Sequence, residues 1–146
     1  MKTKLFGLFL LALFSFNLLS CSKDDEEPLS KSEILVGKGW DLYKSESYDL
    51  NNNFVSERIY DDLNFFFNDN NLFYIKLDDG TIKEEGEWDL NKDETKLYLI
   101  DSSDHIGEVL EIRKLDQDEM ILAEPIDPAI KGKIYTYAVY YLKRLP

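Results

Sequence analysis

Residues 63–77, which read LNFFFNDNNLFYIKL, decide the fold. Leu63, Phe65 and Phe67 recur at every second position, which is the period of a β-strand with one buried face. The NDNN segment at 68–71 is rich in residues that tolerate positive φ and predicts a tight hairpin turn. Residues 72–77, which read LFYIKL, then pair back antiparallel with the first run.

The same alternation of apolar runs and polar turns extends outward in both directions from this hairpin. Turns rich in Asn, Asp or Gly are predicted at 50–53, 78–80 and 91–94, and two prolines make residues 125–132 a loop. Further strands are predicted at residues 39–48, 81–90, 96–100, 106–115, 119–123 and 133–143. Before the first strand, residues 31–38 predict one short helical turn that ends at Gly37.

The predicted strands also indicate which side chains share a face. Ile82, Trp88 and Leu90 are predicted to share one face of the strand at 81–90. In the last strand, one predicted face holds Ile134, Thr136, Ala138, Tyr140 and Leu142. The other predicted face of that strand holds Tyr135, Tyr137, Val139 and Tyr141.

About eight strands at short spacing, joined by hairpins, predict an all-β domain built as an antiparallel up-and-down meander. A flat meander of that length would leave two unpaired edges and one exposed apolar face. Closure into a barrel or half-barrel removes both problems, and we expect one or the other.

Three segments resemble the lipocalin-like domains of exported lipoproteins of the Bacteroidota. They are Gly37-Lys38-Gly39-Trp40, residues 85–90 (EGEWDL) and residues 96–100 (KLYLI), and the resemblance extends over residues 33–145. It implies that residues 31–146 form one lipocalin-like β domain. It also implies that Trp40 closes the bottom of the barrel beneath a basic residue near the last strand, either Lys143 or Arg144.

Residues 1–20 have the organisation of a signal peptide, with a basic start and an apolar run at 5–17. The run is short for a spanning helix, so an uncleaved membrane anchor is the less favoured alternative. The LLSC segment at 18–21 resembles a bacterial lipobox, which implies cleavage before Cys21 and lipidation of this residue, with palmitate among the expected acyl chains. The alternative is an ordinary secretory cleavage site beside a chance cysteine, although a lone exposed thiol is a liability in an oxidising compartment.

Residues 21–30 form an acidic tether between the predicted anchor and the domain. Its SKDDEE segment resembles the surface-export signal of Bacteroidota lipoproteins, which implies attachment to the outer membrane and display at the cell surface. A generic solvated linker is the alternative, because charge runs usually have that role.

Net charge limits the partners of the mature chain. Removal of residues 1–20 leaves 126 residues and takes away two of the 17 bases, so 15 bases face 29 acids, a formal charge of −14. Nucleic acid is an unfavourable partner for so acidic a chain. The charge also keeps the domain away from anionic lipid, so membrane contact is expected through the lipid anchor alone.

The sequence offers little catalytic or metal-binding chemistry, and we expect a protein that is not an enzyme and has no cofactor. His105 is the sole histidine and is predicted to be a solvated turn residue, and one histidine with a lipidated cysteine gives no zinc site. Residues 89–93 begin like a calcium loop, but Glu94 replaces the required glycine and Ile100 replaces the bidentate glutamate. Turn chemistry explains such oxygen-rich runs and no metal ligand is predicted, with an extracellular calcium site as the less favoured alternative.

The sequence favours two functions, and a hydrolase that uses paired carboxylates is ranked last. In the first, the barrel binds a small apolar or amphipathic ligand. The candidate lining residues are Trp40, Phe65, Phe73, Trp88 and Tyr140. In the second, the chain is a structural or interaction lipoprotein that docks a protein or glycan through Tyr135, Tyr137 and Tyr141. Aromatic residues can also simply fill a small barrel.

Overall fold

The computed structural model describes residues 28–102, 107–124 and 136–146, within which the chain forms one short helix and nine strands. Their bounds are α1 Lys31–Leu35, β1 Trp40–Asp49, β2 Phe54–Ile59, β3 Leu63–Phe67, β4 Leu72–Leu77, β5 Ile82–Leu90, β6 Lys96–Asp101, β7 Gly107–Leu115, β8 Glu119–Ala123 and β9 Thr136–Arg144. No helix in these three ranges has the length and apolar character needed to cross a membrane.

Eight of the strands close into an antiparallel barrel. β1 pairs with β3, each strand from β3 to β9 pairs with the next, and β9 returns to pair with β1. The closing contact runs from Trp40 opposite Arg144 to Asp49 opposite Thr136. The predicted all-β meander is confirmed, and the ring is a full barrel instead of a half-barrel.

β2 is an additional strand outside the ring. β1 is long enough to use its first residues to pair with β3, with Trp40 opposite Phe65, and its later residues to pair with β2. All six residues of β2 are exposed, among them Phe54, Val55 and Ile59. The sequence prediction omitted this strand because its apolar side chains do not alternate toward a buried face.

Helix α1 covers one end of the barrel. It begins with a capping box, in which the Ser30 hydroxyl accepts from the Glu33 amide and the Glu33 carboxylate accepts from the Ser30 amide. Gly37 has φ of +104°, a conformation that favours glycine, and it turns the chain into β1. The predicted helical turn ended by Gly37 is confirmed. Lys31 donates to the backbone oxygen of Glu94 and ties the helix to the turn between β5 and β6.

Inward side chains form one continuous core. Its fully buried members are Leu35, Trp40, Leu42, Phe67, Phe73, Trp88, Leu97, Leu99, Leu110, Met120, Leu122 and Leu142. In β9, Tyr140 and Leu142 belong to this core, whereas Tyr137, Val139 and Tyr141 belong to a second cluster on the outer face. The two predicted faces of the last strand are confirmed for these five residues, and Ile134 and Tyr135 lie outside the described residues.

The predicted position of Ile82 in β5 is wrong. Ile82 is 49% exposed instead of sharing the inner face with Trp88. The register between β4 and β5 shifts at this point. Glu84 is opposite Ile75, but the next residue of β4, Lys76, is opposite Ile82, so β5 contains one extra residue. A single extra residue in one strand moves the side chains beyond it to the other face of the sheet.

Candidate functional site

Trp40 and Arg144 close the end of the barrel that carries α1, which we call the closed end. The Trp40 indole Nε1 donates to the Leu35 carbonyl oxygen at 3.1 Å. The Arg144 guanidinium carbon lies 3.9 Å from the centroid of the Trp40 ring. The guanidinium also donates to the Lys38 carbonyl oxygen at 2.8 Å and to that of Ile34. Of the two basic residues that the resemblance offered, Arg144 occupies the position over the tryptophan.

Phe73 and Trp88 also pack at the closed end. Trp88 meets Phe67 edge to face, with ring centroids 5.8 Å apart, and its Nε1 donates to the Asn68 carbonyl oxygen at 3.0 Å. Phe73 is fully buried and packs against Gly86. Neither side chain lines the cavity that begins beyond this layer.

A cavity of about 150 Å³ begins above this packed layer. Its residues lie further from the closed end along each strand: Leu42 follows Trp40 in β1, and Ile75 follows Phe73 in β4. The apolar wall includes Leu42, Leu63, Phe65, Ile75, Leu99 and Leu142. An apolar cavity of this size holds a body about as large as a benzene ring.

Polar groups line the same cavity. Tyr60, Tyr140, Glu84 and Glu108 all face it. The Tyr60 hydroxyl lies 3.2 Å from Ser45 Oγ, and the Tyr140 hydroxyl donates to a carboxylate oxygen of Glu124 at 2.8 Å. The cavity is therefore amphipathic, with an apolar wall and hydroxyl and carboxylate groups.

Tyr140 remains a neutral hydroxyl at physiological pH. Burial raises the pKa of Tyr140 above its ordinary value, and the hydrogen bond to Glu124 and the charge of Glu108 raise it further. The second oxygen of Glu124 accepts from the Ala138 amide at 2.9 Å, so this carboxylate is fixed at both oxygens.

The five predicted lining residues therefore divide between two layers. Phe65 and Tyr140 line the cavity. Trp40, Phe73 and Trp88 form the packed layer at the closed end and do not face the cavity.

Sequence reasoning missed Glu84 and Glu108, although the alternation carried a signal for both. Glu84 has the same parity as Trp88 in β5, and Glu108 has the same parity as Leu110 in β7. A charged residue at an inward position of a half-buried strand indicates a polar interior site. Tyr60 gave no comparable signal, because it lies in the connection between β2 and β3.

A second cluster of tyrosines lies on the outer face of β1 and β9. The Glu46 carboxylate accepts from Lys44 Nζ at 2.8 Å, Tyr48 Oη at 2.5 Å and Tyr141 Oη at 2.6 Å. These three hydrogen bonds lower the pKa of Glu46 to about 2. Tyr137 stacks on Tyr48 with centroids 5.7 Å apart and is 3% exposed. Lys44, Tyr48 and Tyr141 on this face therefore all donate to one carboxylate of the same chain. Tyr135 lies outside the described residues.

The oxygen-rich residues 89–93 lead from the end of β5 into the turn that precedes β6. The Asn91 side-chain oxygen accepts from the Thr95 and Lys96 amides, both at 2.8 Å. Glu94 adopts φ of +51°, which completes the reversal into β6. Among the described residues, no group of three or more His, Cys, Asp or Glu side chains is placed to hold a metal ion. His105 and Cys21 lie outside the described residues.

The closed eight-stranded barrel, capped by a helix and by an arginine over a tryptophan, defines a lipocalin-like fold. A solved structure of a lipocalin-like protein from Bacteroides uniformis superposes on this chain with a TM-score of 0.51 at 12% identity. The match covers 77% of this chain and 99% of that one, so the likeness establishes the fold. No family model matches the sequence, and no curated protein matches it.

Proposed function

We propose that this protein is a lipid-anchored lipoprotein of the outer membrane, displayed at the cell surface, whose barrel binds a small amphipathic ligand. The observation that carries the proposal is the cavity of about 150 Å³, which is lined by apolar side chains together with tyrosine and glutamate groups. A preformed apolar pocket with a few polar groups is the usual form of a small-molecule site.

The closed end supports the same function. A barrel of eight strands is just wide enough for its own side chains to fill it. Here Trp40, Phe73 and Trp88 fill the layer at the closed end, and the next layer leaves a cavity that Phe65 and Tyr140 help to line. The packed layer seals one end, and the layer above it is left for a ligand.

The location rests on the sequence. Cys21 in its lipobox-like context supports lipidation, and the acidic tether at 21–30 supports export to the surface. Dual acylation supports stable attachment, because a single chain binds membranes only reversibly.

The interaction alternative receives less support from the geometry. Tyr137 is buried and donates to Asn52 Oδ1 at 2.7 Å, and the Tyr141 hydroxyl is held by Glu46. A partner that took either tyrosine hydroxyl would break its hydrogen bond within the chain. The Asn52 or Glu46 oxygen would then lose its donor, which is unfavourable if the oxygen is buried beneath the partner.

The test compares two tryptophan substitutions at adjacent positions of β6. Leu99→Trp fills the cavity, whereas Ile100→Trp adds the same side chain on the outer face, where Ile100 is 40% exposed. Wild-type protein and the two folded variants are purified from their own membranes, and co-purifying small molecules are identified by mass spectrometry. We expect one compound with the wild type and Ile100→Trp that is absent from Leu99→Trp. Equal recovery from all three would contradict a barrel site.

A further inference from the structure

β2 has a neighbouring strand along one edge only. It pairs with β1, and within the described ranges no strand lies along its other edge. The strand is also apolar at its surface, since Phe54, Val55 and Ile59 are 59%, 51% and 58% exposed. A strand with an open edge and exposed apolar side chains is a site where another extended chain can pair.

The backbone of β2 directs hydrogen-bonding groups toward this open edge. The Tyr60 amide donates to the Tyr43 carbonyl oxygen at 3.1 Å, and the antiparallel register continues from there without a shift as far as Ser56. Residues that bond to the neighbouring strand alternate with residues that do not, so Ile59 and Glu57 point their amide and carbonyl groups away from β1. Among the described residues, none of these four groups has a hydrogen-bond partner.

The side chains of Glu57 and Ile59 make the outer face of this edge acidic and apolar. Glu57 is opposite Glu46, and Ile59 is opposite Lys44, which places both on the outer face of the sheet. Lys44 Nζ lies 2.8 Å from the Glu46 carboxylate and 3.8 Å from that of Glu57, so one cation is shared between two carboxylates. An added strand is therefore favoured if it places a basic side chain opposite Glu57 and an apolar one opposite Ile59.

A second copy of the chain fits this edge poorly. Antiparallel pairing of two copies through Glu57 and Ile59 of each would place Arg58 of one copy directly opposite Arg58 of the other. Identical charges opposite each other destabilise a sheet. The formal charge of −12 on each chain adds repulsion between copies, whereas it attracts a basic partner.

We infer that β2 binds an extended segment of a partner protein as an added antiparallel strand, with a lysine or arginine opposite Glu57 and an apolar residue opposite Ile59. In this mode of recognition, backbone hydrogen bonds supply the affinity and alternate side chains supply the specificity. The surface is separate from the cavity, and it does not use the hydroxyls of Tyr137 and Tyr141.

The experiment uses two synthetic peptides that differ in one residue. The central residue is lysine in one peptide and glutamate in the other, and both peptides have a valine two positions to either side and threonine elsewhere. Each is titrated into the full protein, purified from its own membranes and held in nanodiscs of uncharged lipid, with empty nanodiscs as the blank. We expect the lysine peptide to bind about fivefold more tightly than the glutamate peptide.

Hydrogen exchange locates the binding. Backbone amide exchange, followed by NMR, should slow at Glu57 and Ile59 when the lysine peptide is bound, because the added strand bonds to both residues. Unchanged exchange at both residues would overturn the inference, as would equal affinity for the two peptides or absence of binding by both. Exchange that slows with rising protein concentration in the absence of peptide would assign the edge to a second copy and would also overturn it.

Substitutions test the charge and the edge separately. Glu57→Lys should reverse the preference, so that the glutamate peptide binds about fivefold more tightly. Glu87→Lys makes the same charge change at an exposed position of β5 and should keep the wild-type preference. Ile59→Pro removes an outward amide without loss of a bond to β1 and should weaken binding of both peptides about tenfold. An unchanged preference in Glu57→Lys, a reversal in Glu87→Lys, or wild-type affinity in Ile59→Pro would contradict the assignment to β2.

Discussion

Arg144 lies over Trp40, with its guanidinium carbon 3.9 Å from the centroid of the indole ring. These residues are the last of β9 and the first of β1, and they are directly opposite each other where the two strands close the ring. The stack therefore joins the two ends of the domain at the seam of the barrel, and its hydrogen bonds to Ile34 and Lys38 tie in the segment around α1.

Arg144→Ala should destabilise the barrel by about 2–4 kcal/mol, because it removes the cation–π contact with Trp40 and leaves the carbonyl oxygens of Ile34, Lys38 and Gln117 without their charged donor. Lys143→Ala is the control: Lys143 is mostly exposed and makes an ion pair with Asp41, and its loss should cost at most about 1 kcal/mol. Urea unfolding of both variants gives the comparison. Equal losses would show that the seam does not depend on the stack.

Gly86→Ala should disrupt the packing of β5 against β6. A methyl group at this position would lie 2.0 Å from the Ile100 carbonyl oxygen and 2.8 Å from Phe73 Cε1. Relief requires backbone movement, and we expect a loss of about 3 kcal/mol or failure to fold. Gly107→Ala is the matched control, because its nearest contacts would be 3.6 Å and 3.7 Å away. Thermal melts of the two proteins decide the matter, and a Gly86→Ala protein as stable as the control would contradict the packing described.

Glu46 should make stability depend on pH under acidic conditions. Its folded-state pKa of about 2 lies below the ordinary 4.5, so the stabilisation is present above pH 4.5 and is lost as the pH falls through about 2. We expect Glu46→Gln to be about 1–2 kcal/mol less stable than wild type at pH 7, a figure reduced for solvent screening, with the difference disappearing near pH 2. Chemical unfolding at a series of pH values measures it. Parallel curves for the two proteins would count against the three-donor arrangement.

Cys21→Ser should abolish lipid attachment. Wild-type protein grown with an alkyne analogue of palmitate should carry the label, whereas Cys21→Ser should carry none, since the chain has no other cysteine. Ser22→Ala changes the neighbouring residue and should remain labelled. Labelled Cys21→Ser protein would overturn the proposed anchor.

The sequence predicted the eight ring strands because their apolar residues alternate toward one core. It missed β2, because Phe54 and Val55 are exposed neighbours that give no periodic signal. It misplaced Ile82, because a one-residue register shift between strands leaves no mark in the pattern of a single strand. Long-range pairing created both features, and the local sequence does not encode it.

The candidate site was predictable in part. Size and hydrophobicity identify the aromatic residues of the interior, but they do not give the position of each residue along the barrel axis. The sequence therefore groups Trp40 and Trp88 of the packed layer with Phe65 and Tyr140 of the cavity. The position of a residue along the barrel axis depends on strand tilt and register, and these are defined only when the ring of strands closes. The inward position of Glu84 could be read from the sequence, because Glu84 is an even number of residues from Trp88 in β5.

A crystal structure of the protein purified from its own membranes tests the central claim most directly. We expect electron density for a small molecule in the cavity between Phe65 and Leu99, with the Arg144–Trp40 stack unchanged. An empty cavity, or density only on the outer face of the barrel, would contradict a ligand site inside the barrel.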